Sequence, residues 1–222
     1  MDTGKLYIVS TPIGNLGDMT LRAIEALKVV DIILCEDTRV SQKLLDHYQV
    51  KGQTISYHHH SDERKVKEIQ NLLNEGKNVA LVTDAGTPGI SDPGNMLISI
   101  LVKRIPGIVI IPIPGVSAVT TALSISGFPT DKFIFLGFPP HKNKRLKYFS
   151  DLAKEERTVI FFESGHRIIK CLQDLKNVLD SKKQIVVCRE LTKKFESVYR
   201  GTIDEIIASK IDERGEFVIV IN

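Results

Sequence analysis

Three short clusters carry residue types able to move a proton, bind a metal or hold an anion. Glu36-Asp37-Thr38-Arg39 places two adjacent carboxylates at the end of the apolar run Ile32 to Cys35. Such a pair suits acid-base chemistry, but it also binds a neighbouring arginine and caps the helix that follows, and this second role is the expectation here. His58-His59-His60 offers three imidazoles. Neighbours on an extended chain point to opposite sides, so the histidines are expected to rim a polar pocket and no metal is expected. Glu163-Ser164-Gly165-His166-Arg167 closes the apolar run Thr158 to Phe162 and sets a carboxylate and an imidazole at one strand-to-helix turn. Two readings stand side by side for Glu163, His166 and Arg167: acid-base catalysis, or a hydrogen-bonded cluster anchoring the helix start.

These clusters need a scaffold, and the stretch Val79 to Asn95 suggests which one. Val79 to Val82 is apolar and largely β-favouring, as expected of a strand buried on both faces of a parallel sheet. From Thr83 to Gly94 the composition turns to three glycines, two prolines and several small polar residues. A βα connection of this length, with its backbone set by glycine and proline, is expected to be a binding loop at the carboxyl edge of the sheet. Asp92 and Pro93 are expected as N-cap and first residue of the next helix.

Further apolar runs predict strands at 6–9, 32–35, 54–57, 108–113, 133–138, 158–162, 185–188, 195–199 and 217–221, with amphipathic helices between most of them. Asp18 or Thr20 is expected to cap the first helix, Ser61 the third and Thr202 a late short one. Gly127-Phe128-Pro129-Thr130-Asp131 breaks the α/β rhythm, predicting an N-terminal lobe over 1–126 and a C-terminal lobe over 127–222. The predicted class is α/β, as two α/β lobes with a cleft between them.

The turn after the first strand, Ser10 to Asp18, is Gly-x-x-Gly and contains Pro12, so it lacks both the G-x-G-x-x-G spacing and one donor of a diphosphate cradle. No Walker sequence occurs. The 222 residues carry a net charge of +3 and include three distant cysteines in apolar segments, which excludes a disulfide framework and points to packing. No apolar run reaches spanning length and no leader is evident, so a cytoplasmic protein with no membrane partner is expected. The densest basic segment, His141-Lys142-Asn143-Lys144-Arg145-Leu146-Lys147, is either a solvated helix start or a phosphate-binding arm.

Taken in order, Thr11-Pro12-Ile13-Gly14-Asn15-Leu16-Gly17-Asp18, Glu36-Asp37-Thr38-Arg39, Asp84 through Gly94, Pro114-Gly115-Val116-Ser117-Ala118, Glu163-Ser164-x-His166-Arg167 and Arg189-Glu190-Leu191-Thr192-Lys193 resemble the motifs of the bacterial small-subunit ribosomal RNA methyltransferase I family, within the tetrapyrrole methylase superfamily. The resemblance covers essentially the whole chain. It implies a class III methyltransferase fold and S-adenosylmethionine bound in a folded conformation between the lobes. It implies a homodimer and 2′-O-methylation of a cytidine ribose in the decoding region of 16S rRNA, with free RNA or the small ribosomal subunit as partner. By position, Ile13, Gly86, Thr87, Pro88, Ile90, Ser117, Ala118, Phe162, Cys188 and Phe217 are implied to line the cofactor. Glu163 and His166 are the catalytic candidates, and Arg167, Lys193 and the 142–147 segment are the candidates for holding phosphates. Members of the family commonly continue past the final strand into a helical region, whereas this sequence stops at Asn222. Two other functions share the same features: a precorrin-type tetrapyrrole methyltransferase, and a non-catalytic S-adenosylmethionine-binding assembly factor of the ribosome. S-adenosylmethionine carries no phosphate, so a site of backbone turns and apolar side chains suits it chemically.

Overall fold

A computed structural model describes residues 3–58 and 61–222. His59 and His60 lie outside the described residues. The chain divides into two compact units, residues 1–117 and 118–222, each built on a five-stranded sheet.

The first unit contains β1 (Leu6–Val9), β2 (Ile32–Cys35), β3 (Gln53–Ser56), β4 (Val79–Leu81) and β5 (Ile110–Ile113), in the spatial order β3-β2-β4-β1-β5. All pairings are parallel, with Leu6 opposite both Val79 and Ile110 and Ile32 opposite both Val79 and Gln53. The central strands β1, β2 and β4 carry no polar alternation because both faces of the sheet are covered there, whereas the edge strand β3 is largely polar. Helices α1 (Leu21–Val29) and α2 (Thr38–His47) supply Ala23, Ala26, Leu27 and Leu45 to the core on one face. Helices α3 (Glu63–Asn74) and α4 (Gly94–Arg104) supply Val66, Ile69, Leu73, Leu97 and Leu101 on the other.

This distribution locates the ligand-binding edge. From β1 the chain runs through α1 on one face towards β2, whereas from β4 it runs through α4 on the opposite face towards β5. The two strands are neighbours, so their carboxyl ends open a crevice where the connections diverge, the usual ligand position in open α/β sheets.

The second unit opens with α5 (Ala118–Ser126) and contains β6 (Phe133–Phe135), α6 (Arg145–Leu152), β7 (Thr158–Ser164), α7 (Gly165–Lys176), β8 (Gln184–Arg189), β9 (Ser197–Thr202), α8 (Ile203–Ala208) and β10 (Glu216–Ile221). Its order is β6-β7-β10-β8-β9, parallel only between β6 and β7. Residues from α6, α7 and α8 form one core with Val159, Phe161, Ile185, Val187, Phe217, Ile219 and Ile221. The expected lobe boundary at 126/127 falls behind α5. The contacts instead group α5 with the second unit, because this helix, with Val119, Ala122 and Leu123 buried, packs against β10 and β7.

Local details decide one expectation about caps between its two candidates and correct two others. Thr20, rather than Asp18, caps α1 by accepting from the Ala23 amide. Asp62, one residue beyond Ser61, caps α3, while the Ser61 hydroxyl accepts from the His58 amide. Pro93 stands at the N-cap of α4, where Asp92 was expected. The Asp92 carboxylate instead accepts from the Gly89 and Gly94 amides, each at 2.7 Å, and so closes the loop on itself. Thr202 caps α8 in a full capping box with Glu205. Cys35, Cys171 and Cys188 are free and buried, as packing residues should be.

Candidate functional site

Three loops meet at the carboxyl edge of β4, β1 and β5. Thr11 and Gly86 form an isolated bridge, the Thr11 amide donating to the Gly86 carbonyl at 2.9 Å and the Gly86 amide returning a bond at 3.1 Å. The Thr11 hydroxyl donates to the Thr83 carbonyl at 3.1 Å. Ser10 and Thr87 share a hydroxyl–hydroxyl bond of 3.0 Å, and the Thr87 hydroxyl lies 3.0 Å from the Val116 carbonyl, to which it donates. The loop after β4 is thus tied to the one after β1 on one side and to the one after β5 on the other.

Gly86 adopts φ +83°, where a side chain is strained, and a Cβ there would stand 3.4 Å from Ile13 Cγ2 and 3.7 Å from the Val116 carbonyl. The backbone conformation, more than the space around it, calls for glycine here. Ile13 and Pro88 are buried, Thr87 is half-buried, and Ile90 is exposed. Gly86, Thr87, Pro88 and Ile13 are brought together, and Ser117 and Ala118 follow directly from Val116, where the first unit ends and α5 begins. The loops 10–18, 83–94 and 114–117 contain no lysine or arginine but include Asp18, Asp84 and Asp92. Such a donor set would repel a diphosphate and suits a ligand whose charged part is cationic, which is the chemistry of a sulfonium with an amino-acid tail.

Beside this edge, at the ends of β2 and β4, lie the carboxylates of Glu36, Asp37 and Asp84. Asp84 accepts from the Asp37 amide at 3.0 Å, and Glu36 accepts from the Thr83 hydroxyl at 2.8 Å. Partial desolvation, reinforced by the charges of Glu36 and Asp37, holds the Asp84 carboxyl above its ordinary range. Asp37 caps α2 and pairs with Arg39 at 2.6 Å, and hydrogen bonding from Arg39 pulls its pKa down to about 2. The motif thus does the capping and ion pairing expected of it.

In the second unit, Phe162, Cys188 and Val218 stand side by side in register across β7, β8 and β10. None of the three belongs to the core under α6, α7 and α8. Phe217 is one residue along β10, so its side chain points the other way and is buried in that core. Phe217 therefore does not share a face with Phe162 and Cys188. Burial pushes the Cys188 thiol up to about 11.

Glu163 pairs with Phe217 across the sheet and points to the same helix-covered side. Its side chain is 0% exposed, 2.5 Å from Arg167 and 3.7 Å from Arg145. Arg145 also binds Asp174 at 2.7 Å, and the two arginines donate to the carbonyls of Pro140 and Pro139. Glu163 further accepts from the Ser164 amide at 2.9 Å. This geometry is that of the anchoring reading. His166, second residue of α7, is exposed.

Two of the phosphate-holding candidates already have carboxylate partners. Arg167 is committed to Glu163, and Lys193 bridges Glu190 at 2.9 Å and Glu216 at 2.8 Å. Sequence reasoning missed Ser10 and Thr11, although hydroxyl residues directly after the first strand were a usable signal. It also grouped Arg145 with the surface lysines, whereas Arg145, Phe149 and Leu152 follow the i, i+4, i+7 spacing of an inward stripe and are all buried. Among the described residues no cluster of histidine, cysteine and carboxylate side chains could hold a metal ion. Nor is any helix of the described residues long and apolar enough to cross a membrane.

Comparison with known proteins agrees with this geometry. The family of Tetrapyrrole (Corrin/Porphyrin) Methylases matches residues 5–207. A Ribosomal RNA small subunit methyltransferase I from Synechocystis is 48% identical over 98% of this chain and 78% of its own length. A protein of the same name from Thermotoga maritima is 42% identical over 99% of this chain and 98% of its own. The crystal structure of a uroporphyrin-III C-methyltransferase from Thermus thermophilus, complexed with S-adenosyl homocysteine, superposes with a TM-score of 0.66 at 17% identity, covering 99% of this chain and 97% of that one. A family match spanning both units and relatives more than 40% identical over nearly the whole chain lead to one conclusion: the chain belongs to the tetrapyrrole methylase family, in the group of the ribosomal RNA small subunit methyltransferases I.

Proposed function

We propose that this protein transfers a methyl group from S-adenosylmethionine to the ribose 2′-hydroxyl of a cytidine in the decoding region of 16S rRNA, acting on the small ribosomal subunit as a homodimer. The observation that carries the reading is the tying of three loops that contain no lysine or arginine, by the Thr11–Gly86 bridge and the Thr87–Val116 hydrogen bond, in a chain nearly half identical to a named ribosomal RNA methyltransferase. The relatives' names supply the RNA, and a structural relative complexed with S-adenosyl homocysteine supplies the cofactor class.

Ile13, Gly86, Thr87, Pro88, Ile90 and Ser117 are the cofactor-holding residues assigned in the first unit, and Ala118, Phe162 and Cys188 those assigned in the second. Phe217 would contribute through its backbone, since its side chain is committed to the core. When bound, S-adenosylmethionine supplies a methyl group on a sulfonium that departs as a neutral thioether. The chain's own work is to fix the loops by the Thr11, Ser10 and Thr87 hydrogen bonds, so that little reorganisation accompanies binding. A ribose hydroxyl is a weak nucleophile at neutral pH and benefits from a proton acceptor. His166 is the residue assigned to that role, and Glu163 is assigned to hold the start of α7 through Arg167.

The test is transfer of a labelled methyl group to small subunits lacking their decoding-region methylations, followed by mapping of the label. Label on a ribose oxygen of a decoding-region cytidine is the expected result. Label on a base, or cofactor binding with no transfer, would refute the reading. Sedimentation at twice the 24.8 kDa chain mass is expected for the homodimer, and sedimentation at that mass would remove it.

A further inference from the structure

The segment that follows β6 separates its positive charges into two sets. Arg145 turns inward, where Asp174 and Glu163 surround it, and its guanidinium lies 4.9 Å from the centre of the Phe149 ring. Lys142, Lys144 and Lys147 are exposed, and none has a carboxylate partner among the described residues. No aspartate or glutamate occurs between Asp131 and Asp151, so nothing on the segment offsets them. Three other lysines of the unit pair with acids: Lys154 with Asp151, Lys176 with Asp204, and Lys193 with Glu190 and Glu216.

The chain leading into the segment is tied down: Arg167 and Arg145 donate to the carbonyls of Pro139 and Pro140, Arg167 pairing with the buried Glu163 at 2.5 Å and Arg145 with Asp174 at 2.7 Å. Lys144 sits at the N-cap of α6 with φ +64° and no capping side chain, a left-handed conformation that glycine or asparagine adopts more readily. Leu146, 81% exposed, stands between Lys144 and Lys147 and adds an apolar surface to the cations.

We infer that residues 141–147 form a preorganised arm for the phosphodiester backbone of RNA, with Lys142, Lys144 and Lys147 as contacts and Glu163, Arg145, Arg167 and Asp174 as positioning residues. The inference rests on the RNA-methyltransferase reading above. Lysine ammonium groups are strongly hydrated point charges suited to phosphates without reading sequence, so the arm orients the substrate and does not select the nucleotide.

The experiment compares the wild type with a Lys142→Gln, Lys144→Gln, Lys147→Gln triple variant and a control triple of exposed lysines in the first unit, Lys28→Gln, Lys51→Gln, Lys103→Gln. Binding to protein-free 16S rRNA and to small subunits is measured across a salt series, with circular dichroism and S-adenosylmethionine affinity as checks of folding. Loss of three phosphate contacts lowers the slope of log affinity against log salt by about 2. That change is expected in the arm variant on both substrates, with cofactor affinity unchanged and the control near wild type. A slope equal to wild type in the folded arm variant overturns the inference, as does an equal loss in the control, which would assign binding to net charge alone. Loss confined to the assembled subunit, with protein-free RNA unaffected, overturns it in favour of a ribosomal-protein contact. A wild-type protein that binds no RNA overturns the function reading and the arm together.

Discussion

Replacing Glu163 by glutamine separates an anchoring carboxylate from a reacting one. The amide keeps the volume and one acceptor but removes the charge that faces Arg167 at 2.5 Å and Arg145 at 3.7 Å in a fully buried position. Breaking a buried pair by removing one partner costs about 3–5 kcal/mol, because the remaining charges stay buried without compensation. The retained acceptor and the second carboxylate at Asp174 place the expected loss near the lower end, about 3 kcal/mol. For a chain of this size that lowers the melting temperature by about 6–12 °C. The assay is thermal unfolding followed by circular dichroism, alongside single-turnover methyl transfer well below the transition. An Arg145→Met companion should show a comparable drop, and the double variant should lose less than the sum of the two because the pair acts as a unit. A melting temperature that barely moves while transfer collapses would mean that the carboxylate acts on the reactants, and the anchoring argument would be wrong.

Other substitutions test the remaining assignments. Gly86→Arg drives a long side chain into the approach between Ile13 and the Val116 carbonyl and should abolish S-adenosylmethionine binding in titration calorimetry; wild-type affinity would remove the loop from the site. His166→Ala, at an exposed position, should leave the melting temperature and cofactor affinity near wild type while slowing turnover by about 10²–10⁴-fold, and unchanged turnover would strike it from the catalytic residues. Cys35, Cys171 and Cys188 should resist a disulfide reagent at pH 8 in the native protein and all react in guanidinium chloride; a fast-reacting native thiol would contradict their burial. Because the folded Cys188 thiol keeps its proton where the unfolded thiol ionises, stability should fall as pH rises from about 9 to about 11. A Cys188→Ala variant should show a weaker fall over that range in pH-dependent denaturant melts.

Much of the architecture was legible from periodicity alone. Strands such as Leu6–Val9 and Ile32–Cys35 announce themselves because an apolar run bounded by turn residues has few other places to go than the middle of a covered sheet. The site loops were legible for a similar reason, since glycine and proline record backbone conformation directly in the residue type. Caps were read to within a residue or two: Thr202 and Asp37 serve as expected, Ser61 yields to the equally suitable Asp62, and Asp92 yields to Pro93 because its carboxylate closes the loop onto the Gly89 and Gly94 amides.

Local sequence could not say which partner a charge would take. Arg145, Arg167 and Lys193 look alike as cations in the chain, yet Arg167 takes Glu163 four residues away, whereas Arg145 meets Asp174 on α7 and Lys193 meets Glu216 on β10, carboxylates that only the tertiary fold brings near. Strand register places Phe217 and Glu163 on the helix-covered face and Phe162 and Cys188 on the other, a distinction set by alternation relative to a core that no single strand specifies. The sequence by itself determined the family, the strands and the loops proposed to hold the cofactor, because these depend on residue types near one another in the chain. The tertiary structure decided the chain neighbours of those loops, the burial of Glu163 and the isolation of three lysines as unmatched charge, because these depend on which distant segments the fold packs together.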